Sequence, residues 1–275
     1  MKRKSLGILS LLMALSLVSA AWAGPLAASS AFSDGSAVAI HLGSGIYNNI
    51  PAYPNTSTKF TYTSSAPAVA TVNPATGDVT AVAEGVTNIV ATSVASPANK
   101  ISYMLTVKGA GNYAVGDFGP SGVGRVFYVS ADGSHGLEVA RRGWKGVDDS
   151  NFQVAWQTTN VDTPNAVGTA VGTGVANSAA LANDPAAKAL HPAAAACKDY
   201  AGGGKTDWFL PSQDELRLAI KLGYIDAPLP TSHFTVIYWS STQVDAGNAF
   251  GARFGNGKST TPKATKCFVR PVRAF

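Results

Sequence analysis

Between Ala37 and Val107 the chain is written in short runs of β-branched and aromatic residues alternating with polar ones: Val38-Ala39-Ile40, Lys59-Phe60-Thr61-Tyr62-Thr63, Val69-Ala70-Thr71-Val72, Val79-Thr80-Ala81-Val82, Asn88-Ile89-Val90-Ala91-Thr92 and Tyr103-Met104-Leu105-Thr106-Val107. Turn signals such as Asn73-Pro74, Thr76-Gly77-Asp78 and Glu84-Gly85 bound them. Six or seven strands over about 75 residues predict an all-β sandwich. At Gly109-Ala110-Gly111 the pattern shifts, which marks a domain boundary. Residues 112–275 alternate short strands (Val126-Phe127-Tyr128-Val129, Tyr238-Trp239-Ser240-Ser241-Thr242, Phe268-Val269-Arg270) with glycine-rich loops and two helical stretches, an α+β arrangement. The first helix runs from Ala193 to Tyr200, after Pro192. Residues 143–175 read as a long loop.

The best-specified stretch is Gly202–Leu216. A glycine hinge, the apolar run Trp208-Phe209-Leu210 and a helix start follow one another. Ser212 three residues before Glu215 is a capping box, in which the hydroxyl accepts from the N–H near Glu215 and the carboxylate reaches back to the N–H of Ser212. Asp214 and Glu215 suit the positive end of the helix dipole, Leu216, Ala219 and Ile220 form one apolar stripe, and Gly223 is the stop. Trp208, Ser212, Glu215 and Trp239 are therefore expected to be structural.

With 275 residues, 46% of them apolar, the chain has room for two packed domains. Residues 1–23 carry Met1-Lys2-Arg3-Lys4, an apolar run from Leu6 to Ala20, and Ala21-Trp22-Ala23, the three regions of a secretory signal peptide. The apolar run is shorter than the roughly 20 residues a spanning helix needs, so the mature chain is expected to be exported with no membrane span, to the periplasm, the cell surface or the medium. Residues 24–35 read as a linker. Losing Lys2, Arg3 and Lys4 lowers the formal charge from +5 to about +2, which points to no nucleic-acid partner. Cys197 and Cys267 would meet an oxidising compartment; an even count there favours a disulfide, with two free buried thiols as the alternative.

Two resemblances follow from motifs. Ser64-Ser65-Ala66-Pro67-Ala68-Val69-Ala70-Thr71-Val72 and Gly77-Asp78-Val79-Thr80-Ala81-Val82-Ala83-Glu84-Gly85 closely resemble the bacterial Ig-like domain of group 2, whose members commonly act as spacers in surface and adhesion proteins. The expected domain covers residues 36–109. Val115-Gly116-Asp117, His135-Gly136-Leu137-Glu138, Gly172-Thr173-Gly174-Val175-Ala176-Asn177, Asp207-Trp208-Phe209-Leu210-Pro211-Ser212, Tyr238-Trp239-Ser240-Ser241 and Val269-Arg270-Pro271-Val272-Arg273-Ala274-Phe275 resemble the family named for the C-terminal domain of the Legionella collagen-like protein, a domain of unknown function. That resemblance, over residues 110–275, implies a C-type-lectin-like fold related to formylglycine-generating enzymes, and surface roles that include attachment to sulfated polysaccharides. It also implies a bridge from a cysteine on the first helix to one on the last strand, where Cys197 and Cys267 stand.

Candidate chemistry is sparse. Gly204-Lys205-Thr206 lacks the first glycine of a phosphate-binding loop, since Asp199 stands five positions earlier. His41, His135, His191 and His233 have no metal-ligand spacing, and Asp148-Asp149-Ser150-Asn151 reads as a solvated loop; no metal or other cofactor is expected. The Glu-Pro-Asn or Gln-Pro-Asp triplet of calcium-dependent lectins is missing, so sugar binding would not need calcium. Local charge says more. From Gly251 to Phe275 there are six basic residues and no acidic one. Arg253, Lys258, Lys263 and Lys266 are the candidate polyanion-binding patch, against the alternative of an ordinary solvated face. Arg270 and Arg273 are expected to turn inward and pair with acids such as Asp214 or Glu215. Three functions remain: a non-catalytic lectin-like binding and adhesion protein for polysaccharide or another anionic polymer, carried on an Ig-like spacer; a structural or protein-interaction component of the envelope; and an oxidase-type enzyme, disfavoured because a bridge would consume both thiols.

Overall fold

The computed structural model describes residues 32–49, 51, 59–145, 152–183, 185–225, 236–253 and 257–275. The signal sequence, most of the linker, His233 and Asp148–Asn151 lie outside them. The described residues are mostly β, with few helices.

The N-terminal part holds β1 (Ala37–His41), β2 (Phe60–Ser64), β3 (Ala70–Val72), β4 (Val79–Ala81), β5 (Gly85–Ser93) and β6 (Lys100–Lys108). Four of these strands form a sheet in the order β1-β6-β5-β2, with β1 parallel to β6, while β3 and β4 pair as a hairpin. Burial alternates along β5 and β6, as a strand period of two requires, and Ile40, Ala70, Val79, Ile89 and Leu105 close one core between sheet and hairpin.

The chain does not leave this core at Gly109. Phe118 packs into it, 4.4 Å from Tyr47, with the Arg125 guanidinium 4.0 Å over its ring. Asp117 accepts from Lys108 Nζ at 2.8 Å and lies 2.8 Å from His41 Nε2. Asp34 pairs with Arg141, whose guanidinium also donates to Asn48 O at 2.7 Å. Gly45 and Gly122 meet backbone to backbone; a Cβ on Gly122 would stand 2.4 Å from Gly45 O. The expected boundary is thus a packed seam.

Beyond it come β7 (Gly124–Val129), β8 (Gly136–Ala140), β9 (Gln153–Ala155), α1 (Gly174–Ala182), α2 (Pro185–Leu190), α3 (Pro192–Lys198), α4 (Gln213–Lys221), β10 (Ile237–Gln243), β11 (Asn248–Arg253), β12 (Gly257–Pro262), β13 (Lys266–Phe268) and β14 (Val272–Ala274). Among the described residues four α-helices stand where two helical stretches were expected. Helix α1, rich in alanine, has no amphipathic stripe that a period count would find. One sheet runs β12-β11-β10-β13-β9 and a second β14-β8-β7. Trp156, Trp208 and Trp239 fill the core between α1, α3 and the five-stranded sheet, each indole N–H spent on a carbonyl: Ser240 O at 2.8 Å, Gly202 O at 3.1 Å and Val154 O at 2.9 Å. Phe127, Val139, Phe209, Leu216 and Tyr238 join α4 to both sheets.

Candidate anion-binding cleft

Helix α4 starts where its sequence says it should. Ser212 Oγ accepts from Glu215 N at 3.4 Å and Glu215 Oε2 from Ser212 N at 2.7 Å, closing the capping box. Glu215 Oε1 takes a further N–H from Gly172 at 2.8 Å, so this carboxylate ties the preceding loop to the helix start. Burial pushes its pKa up. With the apolar stripe Leu216 and Ala219 packed inward, Arg217 and Lys221, one turn apart, are left on the solvent face. The hairpin of β11 and β12 packs against the same helix and brings exposed Arg253 alongside.

Between helix and hairpin lies a cleft of about 540 Å³. Arg217, Lys221 and Arg253 line it, over a floor that includes Val171, Leu218, Ile220 and Ala252. Among the described residues lining it the one acidic side chain, Asp214, is engaged with Arg217 at 3.5 Å. Three cations around a partly apolar floor suit a ligand with a hydrocarbon face and anionic substituents. A second cavity, about 440 Å³, lined by residues including Tyr128, His135 and Phe275, shares Val171 with the first.

Of the four patch residues expected from sequence, only Arg253 lines the cleft. Lys258 and Lys266 are exposed outside it. Lys263 does not belong to a surface patch: it is fully buried, 4.8 Å from the Trp156 ring centroid, and donates to Val161 O at 2.9 Å and Gln243 Oε1 at 2.6 Å. The cleft's other cations, Arg217 and Lys221, are not among the residues the sequence singles out. The signal that could have found them is their spacing of four on the face opposite the apolar stripe.

Arg273 turns inward as expected, but towards other acids. It donates to Glu138 Oε1 at 2.9 Å and Asp207 Oδ1 at 2.5 Å, because β14 pairs with β8 and places Arg273 directly opposite Glu138. Asp214 and Glu215 are taken by Arg217 and by backbone N–H groups. Burial pushes the Glu138 pKa up against the opposing pull of Ser121 and Arg273. Buried Arg270 reaches Ala140 O and the Tyr238 hydroxyl, each at 3.4 Å.

The expected disulfide is corrected. Cys197 on α3 and Cys267 on β13 are buried in one core cluster as free thiols. Strand β9 pairs with β13 and packs on α3, so the two elements are joined through it by hydrogen bonds and apolar contact. Burial pushes the Cys197 thiol far above its ordinary range and that of Cys267 up to about 12. The thiolate is the reactive form, so burial, in place of a bridge, argues against thiol chemistry.

Other candidates resolve into structure. Gly202–Gly204 form a single 3-10 turn with Gly203 and Gly204 at positive φ, and Lys205 is extended, so no helix starts there as a phosphate loop requires. Among the described residues no three His, Cys, Asp or Glu side chains gather around a point.

Two adjoining β-rich domains with a basic cleft in the second describe a class of modular protein. Within it, residues 50–101 match the bacterial Ig-like domain (group 2) and residues 145–273 the Lcl C-terminal domain. The chain carries these two domains in that order. No curated protein matches it. Among solved structures it is similar to a fimbrial protein from Bacteroides ovatus, with TM-score 0.36, 12% identity, and coverage of 86% of this chain and 68% of that one. It is also similar to a C-terminal fragment of intimin in complex with the intimin-binding domain of its translocated receptor, with TM-score 0.24, 17% identity, and coverage of 87% and 59%. A third is the adhesin InvE of Yersinia pseudotuberculosis, with TM-score 0.24, 12% identity, and coverage of 90% and 71%. These likenesses are remote, and the chain spans 59% of the intimin fragment. Among the described residues no helix is long and apolar enough to cross a membrane.

Proposed function

We propose that this is an exported, non-catalytic adhesion protein of the cell surface or medium, in which a C-type-lectin-like C-terminal domain binds an anionic polysaccharide or similar polymer and the Ig-like domain serves as spacer. The observation that carries the reading is the convergence of Arg217, Lys221 and Arg253 on one cleft of about 540 Å³. Guanidinium groups pair with sulfate and carboxylate in fixed geometry, and the apolar floor suits the hydrocarbon face of a sugar ring. The N-terminal charged, apolar and small-residue pattern supports export, and the packed seam at Asp117 supports a spacer that holds its domain in a set orientation.

The test is retention of the full chain on heparin at low and high salt, with the Arg217→Ala/Arg253→Ala double variant alongside. Binding by exposed cations is screened over about 8 Å at physiological salt, so retention should fall as salt rises and be lost in the variant. Equal retention of both proteins would reject the cleft. Absence of retention on heparin and on carboxylated polysaccharide columns would reject the reading in favour of a structural or protein-binding envelope component.

A further inference from the structure

The burial of Lys263 leaves its ammonium among neutral partners: the Val161 carbonyl, the Gln243 carboxamide and the face of Trp156. Burial lowers its pKa, although Asp162 and Asp245 pull the other way. The Gln243 carboxamide is held at every polar atom. Its Oε1 accepts from Thr163 N at 2.8 Å and from Lys263 Nζ at 2.6 Å, while its Nε2 donates to Asp162 Oδ1 at 2.5 Å. Two donors on one end and a carboxylate on the other fix which end is oxygen. An amine, a carboxamide, an N–H aimed at the carboxamide oxygen and a carboxylate on the amide nitrogen thus meet at one point.

We propose that Lys263 and Gln243 join in an intramolecular isopeptide bond with release of ammonia. Lys263 reacts as the neutral amine, its ammonium having given one proton to solvent before the site closes over it. Its Nζ lone pair then attacks Gln243 Cδ, forming the N–C bond and moving the carbonyl pair onto Oε1, where the Thr163 N–H stabilises the developing oxyanion. Once Nζ is bonded to Cδ it comes within reach of the carboxylate already held on Nε2, and Asp162 takes a proton from Nζ and gives it to Nε2. The oxygen pair re-forms the carbonyl, the Cδ–Nε2 bond breaks, and ammonia leaves, taking up a proton as ammonium. No oxidant or cofactor enters. A buried cation and a carboxamide become one neutral amide, which removes the cost of the buried charge. Asp162 is exposed, giving ammonia a way out. Well-oriented groups reach effective molarities of roughly 10⁵–10⁸ M, which offsets the poor reactivity of an amide. In the sheet, Gln243 lies opposite Ala249, and Asn248 opposite Pro262, so the bond would clamp the ends of β10, β11 and β12. Such a staple fits a protein that must hold a surface under load.

The full chain, folded and incubated until its mass is constant, is digested with trypsin and its peptides are weighed. The expected product links Gln243 to Lys263, is lighter by one ammonia than its two parts, and is uncleaved after Lys263. Lys263→Arg and Gln243→Ala should yield only unlinked peptides, and Asp162→Asn, which keeps both reactants, should accumulate unlinked chain. Recovery of wild-type peptides with an intact Gln243 and cleavage after Lys263 would overturn the proposal, whatever the variants do. Equal linkage in chain kept in denaturant would also overturn it, because the geometry would then be irrelevant.

Discussion

Within Gly251–Phe275, Lys263, Arg270 and Arg273 are turned into the protein, whereas Arg253, Lys258 and Lys266 face water. The difference lies in what each contacts. The inward cations spend their donors on a buried carboxylate, carbonyls and aromatic faces, so their energy goes into holding the fold. The outward ones are free to act on a ligand and contribute little to stability. A basic run in sequence therefore holds two populations with different work.

The strongest test of that contrast is Arg273→Ala. It leaves Glu138, whose side chain is 0% exposed, without its cation in the core, which should cost about 3–5 kcal/mol in a urea melt. A loss below about 1 kcal/mol would show that the pair is not buried in solution.

A smaller effect is expected at the seam between the domains. Burial pushes the Asp117 carboxyl up, but the hydrogen bonds from Lys108 and His41 outweigh it and leave its pKa below the ordinary value. The unfolded chain therefore takes up the proton first, so the stability this group contributes is present above the unfolded carboxylate value of about 3.9 and is lost as pH falls towards the native one. The effect is moderate because the Lys108 side chain is 40% exposed and screened. Urea midpoints between about pH 5 and pH 3 should fall more steeply in the wild type than in Asp117→Asn, and equal slopes would remove Asp117 from the seam.

The thiols should show no reaction at all in the native state. Cys197 and Cys267 are expected to resist iodoacetamide until the chain is unfolded, when both should alkylate without prior reduction. A requirement for reductant would restore the bridge.

The smallest expected effect is that of Arg217→Ala with Lys221→Ala. These exposed side chains should change stability by no more than about 0.5 kcal/mol while abolishing salt-sensitive retention on heparin. A large destabilisation would make them structural and remove them from the cations available to a ligand in the cleft.

Local patterns made much of the architecture legible. The strand runs of the first domain appear within a few residues of their expected limits, since each depends on alternation and on nearby turn residues such as Gly77 at positive φ. The start of α4 was readable because its capping box is closed within four residues. Strands β8 and β12 were not, since Gly136–Ala140 is buried at every position and β12 is built of Gly, Lys, Ser, Thr and Pro, so neither carries an alternating apolar signal.

From sequence alone came the order of two domains, the strand-rich character of the first, and the cap of α4, all properties of residues close together along the chain. Which cations point outward, which acid meets Arg273, and that Cys197 and Cys267 rest as free thiols were decided in the tertiary structure. Each depends on pairings between segments tens of residues apart, where sheet register and burial set the outcome and residue type alone does not.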